Sequence, residues 1–215
     1  MTATDSADPA AATFGEFLDA LAARTAVPAG GAAAGFSAAF GAALFAMVAR
    51  FTTGGRFGDV EAEMVALVDE ALHIERDALD SVADDREAFG AVVDAFEMPK
   101  DGVDEQAARS AAIQAAMVRA VEPPLRLGAL CTRLGEIAVT LVGRANPNVV
   151  SDVATGAACV CAALDGTLVN LEANGAVIRD EQVRARLAGA VGDLLVHRDA
   201  LRRLVDEARH GLRGV

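Results

Sequence analysis

At 215 residues the chain is long enough to bury one large core, and it reads as a single domain. Hydrophobic residues make up 53% of it but aromatic ones only 4%, with no Trp or Tyr, so the core has to be built mainly from Ala, Val and Leu in close-packed helices. The net charge of −12, with eighteen Arg against a single Lys (Lys100), excludes the basic face that nucleic-acid binding needs. An acidic surface nearly free of lysine fits a salt-rich cytoplasm, where the Debye length shrinks to about 3 Å at 1 M. A cytoplasmic, halophilic protein is the expectation, with high genomic GC content as the other explanation for Arg over Lys.

Residues 1–12, rich in Ala, Asp and Thr, read as a disordered tail and not a targeting sequence, leaving 13–215 as one helical domain. Thr13-Phe14-Gly15-Glu16 has the pattern of a capping box and opens a helix over 14–24. No residue between Arg24 and Arg50 is charged. The turn Val27-Pro28-Ala29-Gly30-Gly31 leads into a helix of small residues over 31–52, ending near Gly54-Gly55. A membrane span has about that length. Ala and Gly, however, provide little transfer free energy, and neither a Lys/Arg-rich flank nor a Trp/Tyr belt is present. Such a helix suits the centre of a soluble bundle, and no membrane is expected.

A long helix starts near Asp59 and runs towards Pro99, with or without a break. Another spans 104–121, stops at Pro123-Pro124 and resumes to Val142. Asn146-Pro147-Asn148 is a turn, with Asn148 or Ser151 as N-cap of a helix over 149–174, and the last helix covers 180–212. No strand alternation, repeat or linker interrupts this order. The fold class is an all-α, antiparallel multi-helix bundle.

Cysteines 131, 159 and 161 are odd in number, which points to reduced thiols, and Cys159 and Cys161 face different ways on a helix. His73, His197 and His210 are scattered. No metal is expected.

Three features break their surroundings. Along the long helix the apolar stripe is Val60, Met64, Leu67, Ala71, Ile74, Ala78, Val82, then Asp85, then Phe89, Val92 and Phe96. Either Asp85 points into an apolar wall, where a carboxylate must be paired or protonated, or the helix breaks near Ala83 and Asp85 caps the segment beyond. Lys100 is the only lysine where arginine serves every other cationic position; either it is an ordinary solvated charge, or a site needing a compact ammonium keeps it. On the 149–174 helix, Val153, Ala157, Val160, Leu164 and Leu171 form a core stripe, beside a face of Asp152, Gly156, Cys159, Ala163, Gly166, Asn170 and Asn174. That second face admits either a flat ligand or a tight helix contact with amides capping neighbouring chain ends.

Over residues 13–185 the chain resembles the cyclodeaminase/cyclohydrolase family of folate enzymes. The resemblance rests on an ordered set: Phe17-Leu18, Ala22-Ala23-Arg24-Thr25, the Pro28-Ala29-Gly30-Gly31 turn, Met47-Val48 to Phe51-Thr52, and Asp85-Arg86-Glu87-Ala88-Phe89. It continues through Met98-Pro99-Lys100, Glu105 with Arg109, Asn148 to Asp152, Asn170, Asn174 and Asp180. Two positions depart from the pattern. Ala29 replaces a glycine, which would cost about 1–2 kcal/mol if the backbone there were left-handed, and Ala32 replaces a serine.

The resemblance implies a homodimer with a folate groove near the glycine turn and the subunit interface. It implies Asp85, Lys100 and Asp152 as catalytic groups, with Pro28, Gly30, Gly31, Arg56, Asn148, Ser151, Asn170 and Asn174 lining the substrate, and no cofactor beyond tetrahydrofolate itself. The implied reaction is hydrolysis of 5,10-methenyltetrahydrofolate to 10-formyltetrahydrofolate. Desolvation suits Asp85 to proton transfer, Lys100 is expected to orient water or tune Asp85, and Asp152 to offset the substrate's positive charge. Cyclodeaminase chemistry, closing the same ring with loss of ammonia, is the alternative; a non-catalytic helical dimer is the third.

Overall fold

The structure, a computed structural model, describes residues 13–212. The tail expected over 1–12 lies outside the described residues. The helices are α1 (Phe14–Ala22), α2 (Gly30–Arg50), α3 (Glu61–Glu97), α4 (Val103–Ala120), α5 (Glu122–Arg144), α6 (Val150–Gly175) and α7 (Glu181–Leu212). Short 3₁₀ turns occupy Gly55–Phe57 and Pro147–Val149, and no strand occurs among the described residues.

Local chemistry sets most of the boundaries. The capping box forms: Glu16 N–H donates to Thr13 Oγ1 (3.3 Å) and Thr13 N–H to Glu16 Oε2 (2.8 Å). Asp180 Oδ1 accepts from the N–H groups of Gln182 and Val183, and so starts α7. The prolines do not end α4 as the sequence suggests; the break comes earlier, at Val121, and Pro123 and Pro124 sit in the first turn of α5, where a missing N–H is harmless.

α2 is the central helix, held between α3 and α6 and antiparallel to both. Its small residues permit this. A Cβ on Gly41 would come within 2.5 Å of Val160, and one on Gly156 within 2.6 Å of the Phe45 ring. Ala38, Ala42, Phe45, Ala46, Val48 and Ala49 have no exposed surface. Both α2 and the segment Pro147–Gly175 are long and apolar enough to cross a membrane, but those apolar faces are packed against each other here. The expected α6 stripe is buried throughout, and Leu187, Leu194 and Leu201 of α7 close over it at heptad spacing.

Two local expectations need correction, those for Phe96 and for the α6 cap, and two open alternatives are decided. α3 runs unbroken through residues 83–85, so Asp85 is a mid-helix residue and caps nothing. Phe96 is 48% exposed although Val92 and Ala95 before it are buried, so the stripe leaves the core only at its last residue. Neither Asn148 nor Ser151 caps α6; Asn146 Oδ1 accepts from Asn148 N–H (3.1 Å) and caps the 3₁₀ turn before it. Ala29 is extended (φ −142°), so its methyl group brings no left-handed strain. Ala32 is buried beside Phe17 and Val82, packing a methyl where a hydroxyl would need a partner.

Candidate active site

Asp85 is the polar intruder in the α3 stripe, and its surroundings are unusual. Its carboxyl group lies directly over Gly31, at the first turn of α2. A Cβ on Gly31 would fall 2.3 Å from Oδ2 and 2.5 Å from Oδ1, so only glycine fits. Pro123, Pro124 and Leu127 of α5 close one side, and Ser81, Thr167 and Asn170 complete a narrow cleft of about 10 Å³. Burial pushes the Asp85 carboxyl above the usual aspartate range, and no neighbouring charge contributes. Lys100 therefore does not tune Asp85 within one chain. Asn170 approaches the other glycine of the turn: its Oδ1 would lie 3.7 Å from a Cβ on Gly30.

Ser81 also opens onto a larger cavity of about 690 Å³ between α3 and α5, lined by Asp77, Asp80, Asp84 and Arg126. Asp84 is paired with Arg126 at 2.7 Å. This places acidic groups beside the Asp85 cleft, in a space of the size that takes a cofactor-sized ligand. The sequence reading missed these residues and Thr167. Asp77, Asp80 and Asp84 look like solvated positions on a charged helix face, and only the α5 wall turns them into a lining.

The other expected site residues lie elsewhere. Pro28 is half-buried, next to the Ala29-Gly30 entry of α2. Lys100 is beyond the end of α3, with about 18 Å of helix between Asp85 and Glu97. It lines a separate cavity of about 350 Å³ with Arg109, Arg179, Gln106, Gln114 and Phe96. Glu105 and Arg109 build the turn that carries it. Glu105 Oε2 accepts from the N–H groups of Asp101 and Gly102, while Arg109 donates to the Phe96 carbonyl (2.9 Å) and covers its ring. Asn174 is occupied structurally, its Nδ2 donating to the Ala120 carbonyl at the end of α4 (3.1 Å). The amide-capping alternative holds for that residue.

Arg56, Asn148, Ser151 and Asp152 gather at the opposite end of α2 and α6. Arg56 Nη2 donates to Asn146 Oδ1 (3.3 Å), and Asn146 is tied by Nδ2 to the Phe51 carbonyl (3.0 Å). About 22 Å of α6 separates Asp152 from Thr167 in the Asp85 cleft. One chain thus holds the expected site in three places: Asp85 with Gly30, Gly31 and Asn170; Lys100 apart; Asp152 with Arg56, Asn148 and Ser151 at the far end.

Burial also raises the thiols, Cys131 to about 12 and Cys161 to about 11, so neither is a ready nucleophile. Among the described residues no three His, Cys, Asp or Glu side chains converge as a ligand set.

The described residues form a seven-helix bundle with a half-buried carboxyl on a glycine helix start, and comparison with known proteins places it among helical folate enzymes. Residues 13–192 match the family model described as formiminotransferase-cyclodeaminase, and the chain belongs to that family. It is 33% identical to the methenyltetrahydrofolate cyclohydrolase of Methylorubrum extorquens, over 91% of this chain and 94% of that one. It is 30% identical to the formimidoyltransferase-cyclodeaminase of Gallus gallus, of which it spans 35%. The crystal structure of formiminotetrahydrofolate cyclodeaminase from Thermotoga maritima superposes with a TM-score of 0.84 at 25% identity, covering 94% of this chain and 98% of that one.

Proposed function

We propose that the protein is a methenyltetrahydrofolate cyclohydrolase, hydrolysing the 5,10-methenyl bridge to 10-formyltetrahydrofolate with Asp85 as the general base. The observation that carries this is the desolvated Asp85 carboxyl seated on Gly31, in a chain alike over nearly its whole length to a cyclohydrolase. A base held above the ordinary aspartate range is better matched to abstracting a proton from water near neutral pH. The acidic groups along the adjoining cavity suit a cationic amidinium. No metal or cofactor beyond the folate enters the reaction, so exhaustive chelation should leave activity intact.

Lys100 and Asp152 belong to the proposed catalytic set, and Pro28, Gly30, Gly31, Arg56, Asn148, Ser151 and Asn170 to the substrate surface. Their separation within one chain is the reason to propose a homodimer, and the acidic, lysine-poor composition the reason to propose a soluble, cytoplasmic one. The uncovered aromatic side chains Phe14 and Phe40, at 53% and 47% exposure, support a partner on that face. The test follows decay of methenyltetrahydrofolate absorbance alongside ammonia release from the formimino substrate. Asp85→Asn should lower kcat by about 10²–10⁴. Mixing and re-annealing Asp85→Asn with Asp152→Asn should restore part of the lost activity, since hybrid dimers rebuild one intact site. Ammonia release without methenyl hydrolysis would replace this reading with cyclodeaminase.

A further inference from the structure

Thr167 breaks a rule that four other threonines keep. Thr52, Thr132, Thr140 and Thr155 each return the hydroxyl to the carbonyl four residues back, at 2.8–3.1 Å. Thr167, in the middle of α6 and with no exposed surface, does not. Its Oγ1 is the one buried side-chain oxygen or nitrogen with no hydrogen-bond partner among the described residues. An unpaired buried hydroxyl is costly, so the exception needs a cause.

The cause lies in what the hydroxyl faces. Thr167 lines the cleft of Asp85, Gly31 and Asn170. The Asp85 carboxyl, itself half-buried, accepts no hydrogen bond from a described residue. Two polar groups that lack protein partners therefore converge on one small space. Its volume of about 10 Å³ is close to what a single water requires. Ser81 and Asn170 add further polar groups, and a buried water usually makes about three hydrogen bonds. Pro123, Pro124 and Leu127 supply an apolar wall on one side.

We propose that Thr167 is a positioning residue that holds one water against Asp85, and that this water is the nucleophile of the hydrolysis; the inference rests on the cyclohydrolase reading above. The water oxygen forms a bond to the methenyl carbon as one of its protons passes to Asp85. The bond from that carbon to N5 then breaks. The proton on Asp85 goes to N5, the new hydroxyl loses its proton to solvent, and the carbon becomes the N10-formyl group. Asp85 ends as it began, a carboxylate, and one proton is released. Ring closure with loss of ammonia takes up no water, so a built water site beside the base serves the hydrolytic direction.

The experiment compares wild type, Thr167→Val, Thr167→Ser and Asp85→Asn by methenyl hydrolysis over a range of pH and by thermal midpoint. Thr167→Val keeps the side-chain shape and removes only the hydroxyl. A misplaced reactant can lose about 10²-fold in rate, so kcat should fall by that order with KM little changed and a midpoint at or above wild type. Thr167→Ser should recover most of the rate. The acidic limb of kcat/KM should move to higher pH in Thr167→Val, because a held water donating to Asp85 favours the carboxylate. Wild-type kcat in Thr167→Val beside an inactive Asp85→Asn overturns the Thr167 proposal alone. A lowered midpoint with unchanged turnover per folded molecule makes the hydroxyl purely structural and also overturns it. Wild-type turnover in Asp85→Asn removes the Asp85 reading, and the Thr167 proposal with it.

Discussion

The two ends of the α2–α6 pair are built from the same small residues but treat their polar groups in opposite ways. At the far end the buried hydroxyl of Thr52 and the amide of Asn146 are both satisfied. Thr52 Oγ1 donates to the Val48 carbonyl (2.8 Å) and accepts from Asn146 N–H (3.0 Å), while Asn146 joins Phe51 and Arg56. At the near end the contacts stay open: Asp85 rests on Gly31 without a hydrogen-bond donor, and the Thr167 hydroxyl faces the same cleft unpaired. Native interiors satisfy their buried polar groups, so a place that leaves a buried hydroxyl unpaired beside a half-buried carboxyl is a candidate for chemistry. Thr52 and Asn146 thus tie down the chain at the far end, while the near end leaves its polar groups open.

Substitutions at the glycines test this division most sharply. Gly31→Ala drives a methyl group into the Asp85 carboxyl and has to displace it. A small displacement of a reacting group can lose about 10² in rate, and we expect a kcat loss of that order, measured by methenyl hydrolysis, with a modest change in thermal midpoint. Gly156→Ala forces a methyl group against Phe45 and should do the reverse. Overpacking of this kind destabilises by about 1–3 kcal/mol, read by urea unfolding, while turnover per folded molecule stays near wild type. Equal effects of both changes on kcat would erase the distinction between the ends.

Thr52→Val removes a satisfied hydroxyl at the far end and orphans Asn146 N–H. Its unfolding free energy should drop by about 1–3 kcal/mol, the penalty for leaving a buried group unpaired, with kcat per folded molecule retained. At the near end, Asp85→Asn should raise the thermal midpoint at neutral pH. The folded-state pKa of Asp85 is raised by burial, so its contribution to stability is present below the unfolded value of 3.8 and is lost as pH rises through the folded value. The gain from the amide should therefore be full at pH 7 and vanish as pH falls below 3.8. A midpoint lowered at pH 7 would mean that Asp85 is stabilised there by a contact that burial does not describe.

The sequence by itself determined the helices, the burial of the small-residue segment and the oddness of Asp85, because periodicity, capping chemistry and charge pattern act over a few neighbouring residues. Thr13 and Glu16 cap α1 as their spacing requires, and a run without charge ends in a core. Which polar residues meet was decided only by the tertiary structure. The antiparallel register of α2 with α3 and α6 brings Gly31 to Asp85 and Gly30 to Asn170, and carries Asp152 about 22 Å away along α6. Nothing near Thr167 in the chain marks it as different from four other threonines. Its distinction comes from residues 31, 85 and 123–127, distant in sequence, whose convergence depends on how closely three helices can approach.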